Sequence, residues 1–172
     1  MQAFEQLLKG SDLRTIGNSN KVVHLVTNQQ SFDELFKLLF HTDRHIVMRA
    51  ADAIEKITNK DSAYLQPHKK QLIKLCTTVN NYELKWHLAQ LIPRLILTEH
   101  EIRILWEILI KWAANKNESK IVRVNSIQGL SDLLPGDEDY KRQFKDLISS
   151  IKKENISSIN ARIKKLDKIL IK

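Results

Sequence analysis

Ile46-Val47-Met48-Arg49-Ala50-Ala51-Asp52-Ala53-Ile54-Glu55-Lys56-Ile57 is the stretch that decides the fold, because the chain writes its pattern twice more. It returns 38 residues later as Leu84 to Leu95 and, after another 38, as Val122 to Leu133. Apolar residues hold the first, fifth, eighth, ninth and twelfth places. They are Ile46, Ala50, Ala53, Ile54 and Ile57, then Leu84, Leu88, Leu91, Ile92 and Leu95, and more loosely Val122, Ser126, Gly129, Leu130 and Leu133. Steps of three and four put each set on one stripe of an α-helix. A second apolar helical pattern follows each copy, so the unit is a helix pair whose apolar face is covered only by stacking on its neighbours. The expected fold is all-α: an α-α superhelix, or α-solenoid, of about four helix pairs with a terminal capping helix.

Working outward, the repeats are expected at about 43–79, 81–115 and 117–152, after a degenerate first repeat at 11–41 and before a capping helix at 155–171, in one domain over 1–172. Gly10-Ser11-Asp12 is expected to break a short opening helix, and Gly17-Asn18 to form a turn before a restart near Ser19. Ser31 to Glu34 and Thr98 to Glu101 each read as a capping box, and Asp43 as the opening of the first clear repeat helix. The next helix is expected to be capped by Asn80 and Glu83 and bent by the interior Pro93, while Pro67 belongs near the start of its helix. The second helices are expected to bury Phe32, Leu35, Phe36, Leu39 and Phe40, then Leu65, Leu72, Leu75, Cys76 and Val79, then Ile102, Leu105, Leu109 and Trp112. The last helix should bury Ile156, Ile159, Ile163, Leu166 and Leu170.

Composition fits this reading. With 42% apolar residues and only 4 Gly and 3 Pro among 172 residues, there is core to bury and little punctuation for tight β-turns. No basic segment followed by a long apolar run opens the chain, so a soluble, cytoplasmic protein without membrane contact is expected. A single cysteine, Cys76, allows no internal disulfide and sits in an apolar helical row. The net charge of +8 is unevenly spread: residues 1–140 carry 18 Lys+Arg against 17 Asp+Glu, whereas residues 141–172 carry 10 against 3. The body is nearly neutral and the end is basic, as a solvated cap or an electrostatic contact surface would be.

Val122-Arg123, Ala50-Ala51-Asp52-Ala53-Ile54 and Pro93 carry a resemblance to HEAT repeats, in particular the bacterial HEAT-like, ARM-type form, and the string Trp86 to Leu95 is similar to small bacterial HEAT-repeat proteins. The resemblance covers about residues 31–152, and only the third copy has Val-Arg in place, the second reading Leu84-Lys85. It implies a non-catalytic scaffold or adaptor that binds another protein. An alternative it also implies is a nucleic-acid-binding module related to the DNA-repair solenoids, which wrap a basic concave face around a duplex; the neutral body speaks against it.

Between the apolar places, the fourth, seventh and eleventh are polar in all three copies: Arg49-Asp52-Lys56, His87-Gln90-Arg94 and Asn125-Gln128-Asp132. Each trio shares one helix face, and stacking would align the trios as a ladder beside Trp86. The candidate partner-binding residues are thus Arg49, Asp52, Trp86, His87, Gln90, Arg94, Asn125 and Gln128. On the second helices Lys74 and Lys111 hold equivalent places, as do Gln66 and Arg103, and form a second candidate row. His41 and His45 have the spacing of two metal ligands around Asp43 but no third ligand nearby, so no metal is expected. Trp86, Trp106 and Trp112 read as packing residues. With no Gly-rich phosphate loop, nucleophile elbow or paired cysteine motif, no catalytic residue and no cofactor are expected.

Overall fold

The computed structural model describes residues 2–10 and 17–170, so the expected break at Ser11-Asp12 and the start of the degenerate repeat lie outside it, as does the Leu170 side chain. Among the described residues there are ten α-helices and three short 3-10 segments, with no strand. The chain divides into two compact units, residues 1–70 and 71–172.

The first unit holds α1 (Gln2–Leu8), α2 (Ser19–Leu25), α3 (Gln29–Lys37) and α4 (Arg44–Lys60). Helix α4 is the quoted stretch, and its stripe Ile46, Ala50, Ala53, Ile54 and Ile57 is buried as expected. Around it pack α1, α2 and α3. Asp43 caps α4 by accepting from the His45 amide. The start of α3 differs from expectation: Asn28 is the cap, its side chain accepting from the Ser31 amide at 2.9 Å, while the Ser31 hydroxyl accepts in return from the Asn28 amide. Asn28 captures the orphan amides one turn earlier than Ser31 would. Phe40 also departs, standing 53% exposed because the chain tightens into a 3-10 turn at Leu38–Phe40 and rotates it off the apolar stripe. A second 3-10 segment, Ser62–His68, contains Pro67 and brings the His68 ring flat against Phe36, centroids 3.9 Å apart, with Nε2 2.7 Å from Asp33.

Helix α5 (Lys69–Thr78) leads into the second unit, which continues with α6 (Tyr82–Leu91), α7 (Glu99–Ala114), α8 (Lys120–Leu133), α9 (Glu138–Lys152) and α10 (Ser157–Leu170). First helices stack on first helices, α6 on α8 and α8 on α10, while α7 packs on α8 and α9. This is the packing of an α-solenoid. The stripes of α6 and α8 are buried except Leu133, which is half-buried, and Ile159, Ile163 and Leu166 of α10 are buried. The cap of α6 is Asn81 rather than Asn80, accepting from the Leu84 amide at 2.8 Å. The box at Thr98 forms with Glu101 as expected.

Pro93 ends α6 instead of bending it. The helix stops at Leu91, and Ile92–Arg94 is a single 3-10 turn, since proline has no N–H for the fourth carbonyl back. That carbonyl belongs to Ala89, and α8 approaches it closely at Gly129. A Cβ placed on Gly129 would lie 2.5 Å from the Ala89 oxygen, so only glycine fits.

Candidate functional site

The ladder residues divide between the two units. In the first, Arg49 is 2% exposed: its Nη1 donates to the Leu8 carbonyl at 2.8 Å, and its guanidinium lies where a Cβ on Gly10 or Gly17 would fall. Both glycines have positive φ, a backbone that L side chains rarely adopt, and each sits directly against the arginine. Asp52 is also buried, accepts from the Ser19 hydroxyl, and pairs at 2.7 Å with Lys56, whose ammonium also reaches Asn20. A buried carboxylate with this many donors holds α2 on α4.

In the second unit His87 is 1% exposed, its ring 4.2 Å from that of Trp86. The strip expected to be solvated is thus corrected at Arg49, Asp52 and His87, which lie inside, Arg49 bonded to α1, Asp52 to α2 and His87 packed on Trp86. Trp86, Gln90, Arg94, Asn125 and Gln128 stay part-exposed. Gln90 donates to the Trp86 carbonyl and Asn125 to that of Ile121. Gln128 donates to Asp132 and accepts from Arg162 of α10 at 2.6 Å. His41 and His45 both serve the Asp43 turn: His41 Nδ1 accepts the Asp43 amide, and His45 Nδ1 sits 3.0 Å from the carboxylate.

Two ion pairs, one built on a buried cation and one half-buried, escaped the sequence reading. Arg123, 1% exposed, holds Glu154 with both Nη atoms at 2.8 and 2.9 Å while its Nε donates to the Ala113 carbonyl. Lys85, 38 residues earlier and so in the equivalent place, pairs with Glu118. In both, the acid comes from the turn that leads into the next first helix. The signal was present in the sequence as a cation at the second place of a repeat and an acid in the turn that follows that repeat. Val47 fills that place in the first copy.

The second helices leave a more open surface. Along α7, Glu99, Arg103, Glu107 and Lys111 recur every four residues and are exposed. Between this row and the start of α9 lie two hollows of about 350 and 300 Å³ that share Arg103, Asp137 and Tyr140 in their walls. The floor is aromatic. Tyr140 meets the buried Trp106 edge-on at 5.0 Å, and Trp106 donates its indole N–H to Gln143 at 3.0 Å, which in turn donates to Asp139. Asp137 caps α9 through the Asp139 amide, and Asp139 also pairs with Arg142. On the other flank of α7 a hollow of about 310 Å³ is lined by Lys111, Trp112 and the Lys85–Glu118 pair. Cys76 lies at its base, and burial pushes its thiol up to about 12. Lys74 is exposed on α5; Gln66 is half-buried in the first unit.

No helix of the described residues is long and apolar enough to cross a membrane. Neither a curated protein nor a solved structure matches the chain. A family model described as a HEAT repeat domain matches residues 5–168.

Proposed function

We propose, since the chain belongs to the HEAT repeat domain family, that it is a non-catalytic scaffold or adaptor whose contact surface for another protein is the α7–α9 groove. HEAT repeats commonly mediate protein–protein interaction, and the family is generally non-catalytic. The observation that carries the choice of surface is a contrast between the two helix rows. On the ladder Arg49, Asp52 and His87 are buried, Gln128 is bonded to α10, and Gln90 and Asn125 are bonded within their own helices, whereas Glu99, Arg103 and Glu107 are exposed above an aromatic floor. Exposed polar groups around buried aromatics are the anatomy of a binding hot spot. The part-exposed Trp86, Gln90, Arg94, Asn125 and Gln128 are the competing strip.

Affinity capture from the native cell, with and without nuclease, tests this. The expected result is a protein retained after nuclease treatment. Loss of all captured protein with the nucleic acid would favour the alternative, for which exposed Lys152, Lys153, Lys164 and Lys165 supply the cations.

A further inference from the structure

We propose that the α7–α9 groove takes an extended basic segment, rich in Lys or Arg, of a partner protein. The proposal rests on the scaffold reading and adds the partner's chemistry. The walls of the two joined hollows carry the carboxylates of Glu99, Glu107, Asp137 and Asp139 against one guanidinium, that of Arg103. Even with Arg142 counted against Asp139, the groove is negative, in a chain whose formal net charge is +8.

A local field opposed in sign to the net charge of the whole molecule favours a cation at this place. The half-buried Tyr140 ring adds a π-face at the same place, on which an ammonium or guanidinium gains further attraction. Glu99 and Glu107 make no ion pair within the described residues, so their carboxylates are free to accept from a ligand. Arg103, between them on the same helix face, opposes a basic ligand. An anionic ligand would instead use Arg103 as its anchor, and the two cases differ in sign.

The test is fluorescence anisotropy of the full chain with a labelled peptide of alternating Lys and Gly, and with its Glu–Gly counterpart of equal length, at low and high salt. The Lys–Gly peptide is expected to bind, weakening as salt rises. The double variant Glu99→Gln/Glu107→Gln should lose about tenfold in affinity, and Arg103→Glu should gain. Asp146→Asn, on α9 outside the groove walls, should leave binding unchanged and shows that the effect is local. Preference for the Glu–Gly peptide, no binding of the Lys–Gly peptide, equal binding by the Glu99→Gln/Glu107→Gln chain, or loss of binding in Arg103→Glu would each overturn the proposal. A chain that captures a protein yet ignores the Lys–Gly peptide keeps the scaffold reading and loses this one.

Discussion

Arg123 shows how a single side chain ties the second unit together. Its charge is buried, and among the described residues Glu154 and the Ala113 carbonyl compensate it. Removing Glu154 leaves an uncompensated charge inside, so Glu154→Ala should cost about 3–5 kcal/mol in chemical denaturation. The Arg123 guanidinium, by hydrogen bonding the Glu154 carboxylate, holds that carboxyl below its usual range. The folded pKa is therefore lower than the unfolded one. The stabilisation is complete above the unfolded carboxylate value and fades as pH falls through the folded one. Acid titration of Glu154→Gln should accordingly show a shallower loss of stability than the parent; an unchanged slope would remove the pair from the account. Gly129 gives a second test. Alanine in an ordinary helix interior gains about 1 kcal/mol over glycine, but here a Cβ would meet the Ala89 carbonyl oxygen at 2.5 Å. Gly129→Ala should therefore destabilise, by about 1–3 kcal/mol, and a raised melting temperature would contradict the close α6–α8 approach.

At the scale of the helices, most of what the structure shows could be read in advance. The stripes of α4 and α6 were legible because apolar periodicity depends on local geometry alone, and so were the caps Asp43 and Thr98. Caps at Asn28 and Asn81 were misplaced because adjacent polar residues compete for the same orphan amides, and only the folded chain selects one. Pro93 was recognised as a disruption, yet whether it bends or ends a helix depends on what packs against the freed carbonyl, here Gly129. The ladder was misread at Arg49, Asp52 and His87, whose polar side chains stand at exposed-looking spacing but are covered in the folded chain. Ser126, on the apolar stripe of α8, is buried, and its hydroxyl makes no hydrogen bond among the described residues. Ser126→Ala should hence be neutral or stabilising by up to about 1 kcal/mol; a marked loss would reveal a partner for that hydroxyl. The Cys76 thiol, buried and pushed up to about 12, should resist a thiol reagent in the native protein and react on unfolding.

Across the whole molecule, the charge distribution and the repeat point to different surfaces. The basic excess lies in residues 141–172, whereas the groove beside α7 is acidic and aromatic. The groove was legible only in part: the second-helix row, through Arg103, stands out by its equivalent place in the repeat, whereas the wall from the start of α9 carries no motif. Photo-crosslinking separates the two helix rows most directly. A benzophenone amino acid placed at Glu107, on the exposed row of α7, is compared with one at Gln90, on the ladder row of α6, each exposed to native-cell extract. The account predicts a discrete protein adduct from position 107 and none from position 90. An adduct from position 90 alone would place the partner on the ladder and contradict it.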